Sequence, residues 1–540
     1  MIRRALFRNV FSIAAWVVCF AGIAGVVCSA CSRTPAGARA RAENRAIIST
    51  MVVEGLDPAF FWDQGTYVLH GALSEGLFRP HPETNEPEPG VAERWEVRDG
   101  GKKIRFFLRA DACWQDGSPV TAADFVRSFQ RMVSPAVASP NAQHFFVLKN
   151  ARALFEGKLK DPDLLGVRAH ADRELDIELE RPVAYVFSFL ANPMTSPQPS
   201  ARIQQAGSKA IPPEQWVSNG PFLLQKFKLN QDVTVVRNPK YWDAAHVGLS
   251  GITYRTGLDE NADDKEYRTG GTHVSRTVPM SRISVEAQEH PREVVFGQTQ
   301  SLYFLTFQTE RGVFRDARVR RAFALAIDRS KIAAFLPTKP PQASSFVPPG
   351  IEGWKPTRAF RPDVRRAQAL LAEAGFPDGK GLPRIRLGVN TQASNKMIIE
   401  VVQADLLKNL GVKAEVDSKD GAVLASEMKS GDFDIAVRIW YGDFDDATPF
   451  TDFFRAGSSQ NRGRYKNAAY EKLVTTLDGQ TDRATRLKAI AAIEKLLAEE
   501  APGIPLYHIR RVFRRTPELL GWYGTPFDLH PAGGLRFVQN

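Results

Sequence analysis

Between Leu73 and Arg131, apolar and polar residues alternate in a way that spells out a small α/β unit. Trp95 and Val97 alternate with polar neighbours, Asp99-Gly100-Gly101 supplies a turn, and Ile104, Phe106 and Leu108 alternate again. A period of two on both sides of a turn predicts a β-hairpin with one buried face. Asp116-Gly117 marks a second turn. Thr121 then opens a helix, with Asp124 three residues on in the capping-box position. Phe125, Phe129, Met132 and Val133 share one face of that helix.

The clearest run of elements lies between Arg315 and Trp440. Asp316 caps a helix with Val319, Phe323 and Ile327 on one face. Asp363 caps a second, with Val364, Ala367, Leu371 and Ala374 inward and Gly375 as its left-handed terminator. Ile385 to Val389 reads as a strand, Met397 to Leu410 as a helix stopped by Gly411, and Val412, Ala414 and Val416 as another strand. A short helix ends near Gly431, and Phe433 to Trp440 forms a further strand. Along it Phe433, Ile435, Val437 and Ile439 share one face, Asp434, Arg438 and Trp440 the other. This β-α-β-α-β order predicts a largely parallel, helix-covered sheet. Asp443 follows the last strand directly, and ligands in α/β sheets gather beyond the carboxyl ends of strands.

A chain of 540 residues calls for two or three domains, and 43% hydrophobic with 24% charged residues is an ordinary soluble globular composition. Arg3, Arg4 and Arg8 precede an apolar run from Val10 to Val27 and small residues before Cys31, the layout of a secretory signal over residues 1–30. Ser29-Ala30-Cys31 resembles the tail of a bacterial lipoprotein box, with Cys28 in place of the usual leucine, so Cys31 is the candidate for lipidation. An uncleaved membrane anchor is the alternative. Residues 31–46 are small and polar and read as a flexible tether. Either way the folded part is expected outside the cytoplasmic membrane and attached to it. With Cys19 and Cys28 in the signal, Cys113 is the remaining mature cysteine, expected as a buried, inert thiol, and no intrachain disulfide framework exists.

The formal charge of +11 drops by three when the signal arginines go, and the rest of the basic residues are scattered. Short pairs such as Arg365-Arg366, Arg510-Arg511 and Arg514-Arg515 read as a solvated basic surface, not a nucleic-acid site. H-E-x-x-H, G-x-S-x-G and C-x-x-C are absent, and the nine histidines lie singly from His70 to His530. Gly375 to Gly381 fails as a phosphate loop, because Lys380 is followed by Gly. Asp443-Phe444-Asp445-Asp446 lacks the later residues of a calcium loop, and Asp445 and Asp446 are expected to be solvated. No enzyme, metal or cofactor is expected.

A string of motifs adds a family. Glu75-Gly76-Leu77, Pro89-Gly90-Val91-Ala92-Glu93-Arg94-Trp95, Phe106-Phe107-Leu108-Arg109 and Trp114 through Asp124 occur in order. Leu56-Asp57-Pro58, Gly166 to Ala169, Asn219-Gly220-Pro221-Phe222, Asn238 to Asp243, Asp316 to Arg329, Leu370 to Phe376 and Ile439 to Phe444 continue the series. The chain thereby resembles the extracytoplasmic solute-binding proteins of family 5, which serve bacterial ABC importers of oligopeptides, dipeptides and nickel, and most of all the oligopeptide binders.

That resemblance implies an α/β, two-lobed type-II periplasmic-binding fold with a third, extra domain. Lobe I is expected from residues 47–74, 201–300 and 511–540, the extra domain from 75–200, and lobe II from 301–510, with hinge crossings near Gln298–Leu305 and Leu506–Arg510. It also implies that Asp443 receives a peptide's α-ammonium group while Arg438, Trp440, Tyr441 and Gly442 offer backbone groups to an extended peptide. Phe61, Trp62, Asp63 and Gln64 correspond to the opposite wall. Asn141 follows Ser139-Pro140, where many oligopeptide binders carry Tyr, and Val437 stands where some members place an arginine. The implied partners are an oligopeptide, permease and ATPase subunits, and a membrane reached through the lipid, with the protein acting as a monomer without nucleic acid. A nickel complex, haem or another solute is the alternative ligand, and a surface adhesin or signalling receptor the alternative role.

Overall fold

The computed structural model describes residues 34–61, 63–229, 231–357, 360–442 and 444–539, so Cys31, Trp62 and Asp443 lie outside the described residues. Two large sheets organise the molecule. The first has seven strands in the order 294–298, 510–515, 274–275, 45–49, 251–255, 232–237 and 222–226. The second has five, in the order 414–419, 385–390, 435–441, 301–307 and 503–507. A four-stranded antiparallel sheet, built from 92–98, 103–108, 174–178 and 167–171, forms a separate layer. Each sheet has its own buried cluster, around Ile48, Tyr254 and Phe513 in the first, Phe304, Phe323 and Ile435 in the second, and Phe106, Phe125 and Phe145 in the third.

The chain passes twice between the large sheets. Strand Val294–Gln298 of the first leads through Thr299 and Gln300 into Ser301–Phe307 of the second, and Gly503–Tyr507 returns through His508 and Ile509 to Arg510–Arg515. These crossings fall where the hinge is expected, and they are bonded side by side. The Thr299 hydroxyl donates to the Ile509 carbonyl at 2.9 Å, and the Ile509 N–H donates to Ser301 Oγ at 2.9 Å.

Strands 385–390, 414–419 and 435–441 are parallel, as the run 315–440 predicts, whereas 301–307, outside that run, pairs antiparallel with both 435–441 and 503–507, so the second sheet as a whole is mixed. Strand 301–307 comes straight from the hinge without a crossover helix, and so runs against the strand returning toward it. The hairpin forms, yet Val97 is 54% exposed because its strand is the edge of the four-stranded sheet. Val364 is likewise on the surface at the start of its helix. Ala36–Ala42, within the expected tether, is a helix whose Gly37 N–H donates to the Gly270 carbonyl at 2.9 Å. Cys113 is half-buried; its thiol bonds the Lys240 carbonyl at 3.0 Å, and burial pushes its pKa up. No helix among the described residues is long and apolar enough to cross a membrane.

Candidate ligand site between the lobes

Strand Ile435–Tyr441 is covered unequally on its two edges. Along 301–307 it pairs through seven registers, from Ser301↔Tyr441 to Phe307↔Ile435. Against 385–390 it pairs in just two, Leu387↔Ile435 and Gly388↔Ala436. The strand therefore runs on past its parallel neighbour, and Ile439 and Tyr441 emerge to 39% and 44% exposure. This is the carboxyl end of the strand, beside the hinge, where the Gly442 N–H donates to the Gln300 carbonyl at 2.8 Å. A side chain at Gly442 would meet the Phe450 ring at 3.0 Å, so the backbone there lies close against the core.

The other candidates on this strand, Arg438 and Trp440, share the face opposite Ile439 and Tyr441. Arg438 is buried, its guanidinium donating to the Gln460 carbonyl at 2.5 Å and to Gln460 Oε1 at 3.0 Å, with the Phe304 and Phe453 rings 5.4 and 5.3 Å away. Burial, reinforced by Arg462, pulls its pKa down to about 10, which leaves it charged at neutral pH. The Arg438 side chain thus turns into the lobe, which leaves its backbone as the part expected to meet a ligand. Trp440 packs edge-on against Phe453 at 5.3 Å.

On the opposite wall the turn 57–61 is anchored from below. Asp57 is fully buried, forms a two-pronged pair with Arg131 at 2.8 and 2.7 Å, and accepts the Ile211 N–H at 2.7 Å. Asn141 is buried and donates to the Pro58 carbonyl at 2.9 Å, so its side chain holds this turn and does not reach outward. Phe61 is half-buried over Gly55. Asp63 caps helix Gln64–Leu73, accepting from the Thr66 N–H at 2.9 Å and hydroxyl at 2.8 Å. Gln64 reaches across to the Asp528 carbonyl at 3.1 Å. Asp528 pairs with Arg511 at 2.8 Å, and the Arg511 guanidinium lies 5.9 Å from the Tyr441 ring. Burial would raise the Asp528 pKa, but Arg511 and His530 overcome it and hold it low. The two walls thus meet through Arg511 and Asp528. The pairing escaped sequence reading, because 64, 441, 511 and 528 are far apart in the chain.

The acidic stretch after Gly442 also differs from expectation. Asp446 is fully buried and bonds Arg486 at 2.5 Å, while Arg486 also holds Glu352 through two contacts of 2.6 Å. Asp445 Oδ1 accepts the Glu352 N–H at 3.0 Å. Asp445 is exposed, as expected, whereas Asp446 is not a solvated loop acid, because Arg486, from a helix some forty residues away, supplies a buried counter-charge that local sequence does not reveal.

A two-lobed molecule with a strand end open at its hinge is an architecture shared by many solute receptors, and comparison narrows it. Residues 86–462 match the bacterial extracellular solute-binding proteins, family 5 Middle. The chain belongs to this family. Family 5 proteins bind solutes and are not enzymes, and this chain is an extracytoplasmic solute-binding protein. The periplasmic oligopeptide-binding protein OppA of Salmonella typhimurium is 31% identical over 90% of this chain and 91% of its own length. The probable deoxycholate-binding periplasmic protein YgiS of Escherichia coli is 33% identical over 85% of each. Among solved structures, Haemophilus influenzae OppA in complex with RPPGFSPFR superposes with a TM-score of 0.75 at 26% identity, covering 92% of this chain and 99% of that one.

Proposed function

We propose that the protein captures oligopeptides or dipeptides in the cleft between lobes and delivers them to the permease and ATPase subunits of an ABC importer. It works as a monomer tethered through a lipid on Cys31. Lobe I comprises residues 47–74, 201–300 and 511–540, the extra domain 75–200, and lobe II 301–510. The observation that carries the reading is the edge of strand Ile435–Tyr441 facing away from 301–307, which beyond Ala436 has no paired strand among the described residues. An extended peptide added there is held by main-chain hydrogen bonds that are blind to side chains. Asp443, next but one to the strand's end, takes the peptide's α-ammonium group. OppA, a relative over nine-tenths of the chain, is named for oligopeptides, and another relative for deoxycholate. The latter supports a second reading, an amphipathic steroid acid resting on the exposed apolar Ile439 and Tyr441.

Calorimetry with tri-alanine, N-acetyl-tri-alanine and deoxycholate separates the two. An ammonium–carboxylate contact contributes on the order of 1.5–3 kcal/mol, so Asp443→Ala weakens free tri-alanine by roughly ten- to a hundredfold and the acetylated form by little. Equal tri-alanine affinity of wild type and variant removes Asp443 from the site. Tight deoxycholate binding that ignores Asp443→Ala selects the second reading.

A further inference from the structure

A second junction between the layers lies close to the ligand strand. The Tyr185 ring stacks on Phe444 with centroids 4.3 Å apart and planes at 16°. The Asp445 N–H donates to Ser188 Oγ at 3.2 Å. Arg181 pairs with Asp478 at 2.9 Å, and Asp478 is itself buried and shared with Arg455 at 2.7 Å. Tyr185 and its neighbour Phe187 pack on the rim of the cluster under the four-stranded sheet, whereas Phe444 and Asp445 follow strand Ile435–Tyr441 of the five-stranded sheet. Chain separation is large, 257 residues between Ser188 and Asp445.

The stretch 444–446 is consequently gripped from two sides. Behind it, Asp445 accepts the Glu352 N–H and Asp446 is bound by Arg486, all within the same lobe. Glu352 itself lies at φ +50°, in the left-handed region. In front, the contacts come from Tyr185 and Ser188, which belong to the other body. The two grips differ in strength. A buried guanidinium with two carboxylates is hard to part, because separation leaves an uncompensated charge. One stacked ring pair, one hydrogen bond and one ion pair with a half-exposed arginine separate easily. The front grip has the composition of a contact that opens and closes, and the hinge supplies the motion.

We propose that Tyr185 and Ser188, with the Arg181–Asp478 pair bridging the same two layers beside them, form a latch that holds Phe444 and Asp445 across the cleft, and that Tyr185 and Ser188 are positioning residues for ligand retention. The latch itself stands on these contacts alone, whereas its effect on ligand rests on the peptide reading given above. Holding Phe444 and Asp445 fixes the residues that follow Asp443, so ligand escape requires the latch to part first. Loss of the latch accelerates dissociation and leaves association nearly unchanged.

The test uses full-length, ligand-free protein in detergent first. In wild type the amides of 444–450 are protected from hydrogen exchange. Tyr185→Ala raises their exchange at least several-fold and leaves 435–441 unaltered, Ser188→Ala does so at Asp445, and Tyr185→Phe, which keeps the stack, matches wild type. Stopped-flow release of tri-alanine is then faster by roughly two- to tenfold in Tyr185→Ala, the range a stacked aromatic pair supports. Unchanged exchange at 444–450 in both alanine variants overturns the latch. So does exchange that rises equally throughout the protein, since that marks general loosening. Failure of wild type to bind tri-alanine defeats the peptide reading, and the exchange measurement still decides the latch.

Discussion

Glu75, Asp57 and Asp124 each lie in a motif that carries the family resemblance, and each is a buried acid with structural partners. Glu75 accepts from the Tyr241 hydroxyl and from Trp242 Nε1 at 2.6 Å, so two distant motifs meet in one contact. Asp124 accepts from Thr121 N–H and hydroxyl at 3.0 Å, Trp114 Nε1 at 3.3 Å, and Ser200 N–H and hydroxyl at 2.8 Å. Its capping role was legible from the three-residue spacing. Its bond to Ser200 was not. Glu494 is an acid of another kind, fully buried and accepting the Val347 and Phe346 N–H groups at 2.7 and 3.1 Å. Burial outweighs those donors and pushes its pKa up to about 7. The folded state therefore keeps a proton that the unfolded chain releases at lower pH, and this stabilisation is lost as pH rises through 7. Wild type should gain on Glu494→Gln as pH falls from 8 to 5, by on the order of 2–3 kcal/mol at ~1.4 kcal/mol per pH unit. Urea unfolding of both proteins at both pH values checks this, and a constant difference contradicts it.

Among the elements, helices and strands with local stop signals were the most legible. Gly375 and Gly411 take φ of +94° and +68° at helix ends, where residues with a Cβ are strained. The turn 57–61 is the reverse case, because its shape depends on Arg131, Asn141 and Ile211 from elsewhere. Removing Asp57 leaves the Arg131 cation buried beside it without its carboxylate. Asp57→Ala should destabilise by about 3–5 kcal/mol, and Asp57→Leu with Arg131→Met should recover much of that loss. Denaturant midpoints of the three proteins test the pair. An Asp57→Ala loss below about 1 kcal/mol would show that the turn is held by something other than this charge.

For the whole molecule, the paired crossings at Thr299–Gln300 and His508–Ile509 make a two-segment hinge. Ligand shifts an open–closed equilibrium only through its greater affinity for the closed form. Small-angle scattering should show the particle contracting when tri-alanine saturates it. Identical curves with and without peptide would mean that binding does not close the lobes.

By itself the sequence determined what short-range physics encodes: where helices begin and stop, which faces are apolar, and, through ordered motifs, the family and its two crossings. Strand alternation also marked Ile435 and Val437 as buried and placed an acid just past the strand's end. The tertiary structure decided which polar groups face one another. Alternation put Arg438 on the face of Asp434 and Trp440, but only packing against Phe304, Phe453 and Gln460 made that face a buried one at Arg438. Asp446 read as solvated because its counter-charge, Arg486, comes from a distant helix. Gln64, Tyr441, Arg511 and Asp528 converge only when the hinge folds. Burial and charge pairing at such points depend on contacts far apart in the chain, and no local pattern of residues records them.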